Sequence, residues 1–307
     1  MKRIVVVALS LACALCAFPS FSSASDETTL TVAVGHSEPA AEVYYAQEMG
    51  FFERAGLHVQ VTTLANGAAT LAALVSGALQ FASADVLAIA RAQGRGIPVA
   101  IVAPGAIYES SAPTSLFVVA PDGPIRVPKD LEGKVVAGIS LGGLEHLGQL
   151  AWLQANHADA STIKFLELPT SEMVQALDQS RIAGATMGEP YLSAERSKFR
   201  VLGKDLDAIA PRFLETAFVA DVEWARNNPA LAKKFASAVI QAGVWGNAHP
   251  QQAAAIMARD LGIETARQHV TFATSTSAAL IQPLLDAAFK FGMLDHRSVA
   301  SALVWQP

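Results

Sequence analysis

The sequence predicts a two-lobed α/β protein, and three observations carry that prediction. Short β-rich segments alternate with helical segments through the first two thirds of the chain, as they do in sheets built from strand–helix–strand units. This alternating series is built twice, and an almost entirely helical tail follows it. The length of 307 residues exceeds a typical domain of roughly 100 to 200 residues and suits two.

The first series begins at an alternating, β-rich segment and ends at an apolar run. Gly50 ends its first helix, and Asp85 is of a residue type that caps helix N-termini. Crossovers this short predict right-handed parallel units. The predicted strands are residues 29–34, 57–64, a short strand that ends at Phe81, and 99–103. The predicted helices are residues 41–49, 66–76 and 85–91.

The second series leads into the helical tail. Pro229 and Pro250 stand near the first positions of tail helices, where proline is favoured. We expect the chain to cross between lobes near residues 115–120 and 215–220, with the tail returning to the first lobe. The predicted strands are residues 115–119, 134–138, 163–168, 182–187 and 216–220. The predicted helices are residues 143–156, 171–179, 221–227, 229–245, 250–261, 264–273 and 277–291.

The N-terminus has the three-part pattern of a secretory signal. Lys2 and Arg3 precede an apolar stretch over residues 4–18, and Pro19 and the small residues 22–24 follow it. A helix of that length spans about 22 Å, less than the roughly 30 Å of a membrane core, so a cleaved signal is favoured over an anchor. We therefore expect residues 1–24 to be removed and the mature protein to be periplasmic.

Charge and motif content exclude several functional classes. Lys and Arg number 22 against 27 Asp and Glu, a net charge of −5, so the chain lacks the basic surface that binds nucleic acid. None of the seven histidines forms an HExxH pair. We expect no nucleic-acid partner, no metal, no cofactor and no catalytic residue.

Four segments, in order along the chain, carry a family resemblance: GFFERAGLHVQV, LANGAATLAALVSGALQFASAD, DLEGKVVAG leading into SLGGLEHL, and MGEPYLSAE. With them the chain resembles the periplasmic substrate-binding proteins of ABC importers, in the branch that includes binders of nitrate, aliphatic sulfonates, taurine and thiamine precursors. The resemblance covers roughly residues 30–230.

The resemblance implies the type II periplasmic binding protein fold, in which two α/β lobes are joined by two hinge strands. Lobe 1 would comprise residues 25–117 and 217–307, and lobe 2 residues 118–216. It also implies that a small-molecule solute is held in the cleft between the lobes and delivered to the transmembrane subunits of an ABC permease. We expect the protein to be a monomer.

The candidate site lies in the turns that follow the strands. Ligands gather at the carboxyl ends of strands in open α/β sheets, where helix N-termini present backbone N–H groups. The turns are residues 35–39, 65–68, 83–85, 140–143 and 188–191. Tyr44 and His146 lie on the helices that follow two of these turns. The candidate ligand-binding residues are His36, Ser37, Glu38, Tyr44, Asn66, Gly67, Ser83, Asp85, Ser140, Gly142, Gly143, His146, Glu189 and Tyr191.

The residue types in these turns leave the ligand open. Gly142 and Gly143 allow close backbone approach, as an anion requires. Glu189 would accept hydrogen bonds from an amine or amidine, or would serve a structural role at a helix start. No Arg or Lys lies in the five turns, which favours a neutral or amine-bearing ligand over a simple anion. Sulfonate, nitrate, taurine-like, pyrimidine and aromatic-acid ligands all stay open. An enzyme like the thiamine-pyrimidine synthases on the same fold is the alternative function.

Overall fold

The computed structural model describes residues 29–64 and 67–306. The predicted signal segment, residues 1–24, and the candidate residue Asn66 lie outside the described residues. Within those ranges, none of the helices combines the length and the hydrophobicity that a membrane crossing requires.

The strands of the described chain lie between residues 29 and 272. They are β1 (Thr29–Gly35), β2 (His58–Leu64), β3 (Phe81–Asp85), β4 (Val99–Pro104), β5 (Ala106–Glu109), β6 (Ser115–Val119), β7 (Val135–Gly138), β8 (Lys164–Glu167), β9 (Gly184–Gly188), β10 (Arg200–Gly203), β11 (Arg212–Leu214), β12 (Thr216–Asp221) and β13 (Thr271–Phe272).

Helices alternate with these strands and dominate after β12. They are α1 (Glu42–Glu48), α2 (Phe51–Arg54), α3 (Gly67–Val75), α4 (Val86–Gly94), α5 (Leu144–Ala155), α6 (Thr170–Asp178), α7 (Tyr191–Ala194), α8 (Val222–Asn227), α9 (Pro229–Ala248), α10 (Pro250–Leu261), α11 (Ala278–Lys290) and α12 (Ala300–Leu303).

The first sheet has the strand order β2-β1-β3-β12-β4. β1 pairs in parallel with β2 and β3, whereas β12 is antiparallel to both β3 and β4. Helices cover both faces of this sheet, and each face has its own apolar core. Phe235 of α9 stacks on Phe81 of β3 with ring centroids 3.7 Å apart, and also on Phe52 of α2. The helical tail therefore returns to the first sheet.

The second sheet has the strand order β10-β6-β9-β7-β8. β7 pairs in parallel with β8 and β9, and β6 is antiparallel to β9 and β10. Separate apolar clusters cover its two faces, one around Met173 of α6 and one around Trp152 of α5. Two sheets, each flanked by helices, confirm the predicted α/β class.

A third, three-stranded sheet lies where the chain crosses between the other two. Its order is β11-β5-β13, with both outer strands antiparallel to β5. The chain runs from β4 in the first sheet through β5 to β6 in the second sheet, and from β10 in the second sheet through β11 to β12 in the first. The crossings therefore fall at residues 105–114 and 204–215. The lobe boundaries at 117/118 and 216/217 stay a prediction, although residues 115–117, assigned to lobe 1, pair within the second sheet.

Two predictions about individual elements are wrong. Phe81 was predicted to end a strand, but it begins β3. The prediction failed because the residues that follow Phe81 are small and buried, so they show no alternating pattern of a strand. Residues 264–273 were predicted to be a helix, but Gly262 ends α10 in the left-handed conformation, with φ of 62°. The N–H groups of His269 and Val270 then donate to the carboxylate of Glu38, and β13 follows.

Candidate functional site

A cavity of about 810 Å³ lies between the first and second sheets. It is lined by the turns at the carboxyl ends of β1, β3, β7 and β9 and by the N-terminal part of α3, as expected for open α/β sheets. Ten of the candidate residues lie on its wall. They are His36, Ser37, Gly67, Ser83, Asp85, Ser140, Gly142, Gly143, Glu189 and Tyr191.

Three candidate residues do not line this cavity. Glu38 is fully buried and its carboxylate accepts the N–H groups of the segment before β13. Tyr44 is buried, and its hydroxyl bonds to the hydroxyl of Thr63 at 2.7 Å. His146 packs its ring on Phe165 with centroids 4.5 Å apart, and its Nδ1 accepts the N–H of Gly142 at 2.9 Å. Glu38 and His146 thus brace the loops of the cavity.

Gly142 takes a left-handed conformation, with φ of 74°, which brings the loop after β7 round to the start of α5. The N–H of Leu141 donates to Glu167 at 3.1 Å, and that of Gly142 donates to His146. Two N–H groups of this loop are therefore already engaged by side chains of the second lobe. The loop is less suited to cradle an anion than its glycines predict.

Three carboxylates line the cavity close to one another. Asp85 ends β3, Glu215 precedes β12 on the neighbouring strand, and Glu145 lies in the first turn of α5 across the cavity. Burial, together with the charge of Asp85, raises the pKa of Glu145 to about 8. Burial likewise raises the pKa of Glu215 to about 7 and raises that of Asp85. The three groups cannot all ionise without a counter-charge at neutral pH.

A buried polar chain supports this acidic wall from the second lobe. The Nε2 of Gln149 donates to the carbonyl of Ala137 at 2.8 Å and to the hydroxyl of Thr186 at 2.9 Å. That hydroxyl lines the cavity and donates to the carboxylate of Asp205. Burial raises the pKa of Asp205 to about 7. The sheet and α5 are thereby tied together directly behind the cavity.

Two arginines also line the cavity, although the five turns hold none. Arg91 lies on α4 and Arg95 directly follows it, both on the side of the helix that carries Asp85 and Ala88. The guanidinium of Arg91 donates to the carbonyl of Gly142, which joins α4 on the first sheet to a loop of the second. The turns hold no cation, but the cavity wall does, and a search of the helix face at a spacing of three to four residues finds both arginines.

His269, from the segment before β13, sits between acids of the two lobes. Its Nδ1 is 3.6 Å from the carboxylate of Glu38 and 3.9 Å from that of Glu189. Glu189 accepts the hydroxyl of Ser193 at 2.8 Å and the N–H of the same residue at 3.0 Å. Glu38 raises the pKa of His269, whereas burial raises the pKa of Glu189. Glu189 is therefore mainly engaged with its own helix start and with His269.

The described acidic and histidine side chains of the site do not form a metal centre. No group of three or more His, Cys, Asp or Glu side chains in the described part of the chain is arranged to hold a metal ion.

Asp85 caps α4, since its carboxylate accepts the N–H of Ala88 at 2.8 Å. The Nε2 of His36 donates to the carbonyl of Leu261 at 2.7 Å, so this ring is oriented by the end of α10.

The family model described as "NMT1/THI5 like" matches residues 39–253. No curated protein sequence matches the chain. Solved structures match this chain over most of its length and of theirs. Their sequence identities to this chain are low, so the match concerns the fold alone.

Three of these structures illustrate the likeness. The periplasmic aliphatic sulphonate binding protein SsuA of Escherichia coli has 20% identity and a TM-score of 0.73, covering 92% of this chain and 98% of that one. The alkanesulfonate-binding SsuA of Xanthomonas axonopodis pv. citri, bound to MOPS, has 17% identity and a TM-score of 0.74, with coverages of 92% and 100%. The periplasmic nitrate-binding protein NrtA of Synechocystis PCC 6803 has 16% identity and a TM-score of 0.74, with coverages of 90% and 85%.

Proposed function

The chain belongs to the NMT1/THI5-like family, and on that premise we propose that it is a solute-binding protein that captures one small polar molecule between its lobes. Its fold is that of the periplasmic binding proteins, which confirms the two-lobed type II architecture expected from the sequence. The observation that carries the proposal is the cavity of about 810 Å³, because its wall comes from both sheets.

A ligand in this cavity touches both lobes only when they are close together. Ser37, Gly67 and Asp85 contribute from the first lobe, and Ser140 and Tyr191 from the second. Such a ligand binds the closed state better than the open one, so it shifts the population toward closure. The crossings at residues 105–114 and 204–215 would act as the hinge. We propose that the ten candidate residues on the wall contact the solute.

We further propose export to the periplasm and delivery of the solute to the transmembrane subunits of an ABC importer. Two observations support this. The segment at residues 1–24 has the pattern of a secretory signal. The matching structures are named as periplasmic proteins that bind aliphatic sulfonates or nitrate. The solute would belong to the sulfonate, nitrate and taurine-like class or to the pyrimidine precursors of thiamine.

The experiment starts from the freshly purified protein. Native mass spectrometry weighs any small molecule that stays bound, and small-angle X-ray scattering then compares the protein with and without that molecule. We expect a retained molecule and a smaller radius of gyration when it is bound.

Chromatography of the same mixture after long incubation tests the alternative of an enzyme. Unchanged solute agrees with a binding protein, whereas conversion to a product would reject the proposal. Binding without any compaction would also contradict the closure mechanism.

A further inference from the structure

The acidic groups of the cavity come from both lobes and face a common space. Asp85 and Glu215 lie side by side, because Asp85 is the strand partner of Thr216 and the N–H of Val86 donates to the carbonyl of Glu215 at 3.0 Å. Glu145 lines the same cavity from α5, and its charge interacts with those of Asp85 and Glu215. The arrangement is therefore a carboxylate cluster split across the cleft.

The positive groups nearby offset the charge of this cluster only in part. Within the described part of the chain, none of the three carboxylates forms a salt bridge with a Lys, Arg or His. Burial raises the pKa of Asp85, and the charge of Arg91 offsets part of that rise, although the Arg91 guanidinium is hydrogen-bonded to the carbonyl of Gly142. Arg95 is exposed just after α4. Buried carboxylates are normally paired, and one arginine cannot balance three of them, so a ligand can supply a further counter-charge.

An independent observation points to a ligand at the same place. Ser115 of β6 is only 5% exposed and lines the cavity, yet its hydroxyl has no hydrogen-bond partner among the described residues. The neighbouring Thr114 does have one, because its hydroxyl donates to Glu215 at 2.8 Å. Buried hydroxyls in folded proteins nearly always have a partner, so a polar atom of a bound molecule is expected beside Ser115.

We propose that the cavity takes a solute with a cationic amine, amidine or guanidine group, which lies between Asp85 and Glu215 on one side and Glu145 on the other. The inference rests on the proposed function and adds the charge of the ligand. A cation with several N–H donors satisfies the carboxylates, and the hydroxyl of Ser115 accepts one further donor. A sulfonate or nitrate at the same position would lie against three acidic side chains and lose part of its hydration.

Binding of a cation also changes the protonation of the cluster. In the empty cavity at pH 7, Glu145 carries a proton for most of the time, because its pKa is raised to about 8. Asp85, Glu215 and Asp205 surround it with negative charge, and Arg91 is the cation on the opposing helix face. A bound cation lowers the pKa of Glu145 and releases its proton to the buffer. A bound anion would have the opposite effect.

The test compares two sets of compounds by isothermal titration calorimetry at pH 7 and by small-angle X-ray scattering. The cations are benzylamine, benzamidine, putrescine and agmatine. The anions are benzoate, benzenesulfonate, methanesulfonate and nitrate. Calorimetry is repeated in buffers of different ionisation enthalpy, so that the sign of proton exchange is measured. We expect at least one cation to bind with compaction and proton release.

Two glutamate variants make the test specific. Glu145→Gln should weaken binding of that cation at least tenfold and abolish most of the proton release. Glu53→Gln removes the same charge from an exposed site on α2 and should leave affinity and proton release unchanged. Circular dichroism of both variants confirms that they are folded. Wild-type affinity in Glu145→Gln would overturn the proposed site.

The outcomes separate this inference from the proposed function. Binding of an anion with compaction, and of no cation, would overturn the cationic ligand and leave the solute-binding function intact. If no cation binds and the molecule identified by native mass spectrometry is an anion, the cationic ligand is likewise overturned and the solute-binding function stays intact. A protein that neither retains a molecule nor contracts with any compound contradicts both.

Discussion

At the scale of single residues, the role of Glu38 differs most from its prediction as a ligand contact. Its carboxylate is fully buried and accepts the N–H groups of His269 and Val270, the latter at 3.0 Å. Those two N–H groups belong to the segment that runs into β13. The side chain thus holds the C-terminal region against the loop after β1.

Glu38→Ala should therefore lower the free energy of unfolding by about 2 to 3 kcal/mol, because two buried N–H groups lose a charged acceptor. Urea denaturation followed by tryptophan fluorescence measures the change. Glu53→Ala, which alters an exposed glutamate, should stay within about 0.5 kcal/mol of the wild type. An effect of Glu38→Ala as small as that of the control would contradict the assigned role.

The buried acids predict how stability depends on pH. The pKa values of Glu145, Glu215 and Asp205 rise to about 8, 7 and 7 in the folded protein. The folded state therefore holds more protons than the unfolded state between about pH 4.5 and 8, so stability is greatest at the acidic end and falls as pH rises. The raised pKa of His269 acts in the same direction.

We expect the melting temperature, measured by calorimetry without ligand, to fall between pH 5 and pH 8. Glu145→Gln should flatten this dependence, because it removes the group with the highest pKa of the three. A melting temperature that rises over the same interval would show that the acids are ionised without penalty.

Residue-level prediction from sequence succeeded where a local rule applies. Asp85 was expected to cap a helix, and its carboxylate does accept the N–H of Ala88. Glu145 and Arg91 were missed as cavity residues for a different reason. Their position in the cavity depends on how α5 and α4 are rotated against their sheets, which long-range packing decides. The helical spacing from Asp85 to Arg91 was the one feature of the sequence that indicated that Arg91 faces the cavity.

At the scale of elements, long periodic segments were predicted well and the shortest strands were not. The helix at residues 250–261 matches α10 at both ends, since Pro250 and Gly262 mark its limits. β5, β10 and β11 have three or four residues each, too few for an alternating pattern to be distinguished from a loop. Their existence follows from pairing with distant partners.

Close packing of one edge strand gives a test at this scale. A Cβ on Gly203 of β10 would lie 2.6 Å from the ring of Trp152, which stacks on Phe117 in the core of the second sheet. Gly203→Ala should destabilise the protein by about 1 to 3 kcal/mol, because the indole ring must shift in a packed core. Thermal and urea denaturation measure the loss.

Gly94→Ala supplies the matched control for this substitution. Gly94 ends α4, and the nearest atom to its added Cβ would be the Cε1 of His296 at 3.5 Å, an ordinary contact. Alanine should therefore be neutral or stabilise the helix by up to about 1 kcal/mol. Equal losses in the two variants would mean that the contact with Trp152 is unimportant.

At the scale of the whole molecule, the contact between the lobes through Arg91 becomes testable. Its guanidinium donates to the carbonyl of Gly142 across the cavity. A hydrogen bond from a charged group contributes about 1.5 to 3 kcal/mol, which is roughly a tenfold change or more in the ratio of closed to open molecules. Arg91→Ala should therefore enlarge the radius of gyration of the ligand-free protein in small-angle X-ray scattering.

Arg95→Ala removes the neighbouring positive charge from the exposed end of the same helix and should leave the radius of gyration unchanged. If the two variants scatter alike, the bond to Gly142 does not hold the lobes together. Testing both without ligand separates this contact from any effect on the solute.

The architecture of the whole molecule was the most predictable level, because the order of alternating elements fixes the class of fold. The site was less predictable. The turns after the strands do line the cavity in which we propose the site, but they do not include the charged side chains that the neighbouring helices bring to its wall. The hydrophobic periodicity of a sequence does not indicate which charged side chains face each other across the cavity between the lobes.

The third sheet has a mechanical consequence. β5 and β11 belong to the two opposite crossings, yet they pair with each other, and Arg212 and Glu109 join them by a further ion pair of 2.7 Å. Strands that are bonded side by side cannot slide independently. We therefore expect the two lobes to rotate about a single hinge axis and not to shear past each other.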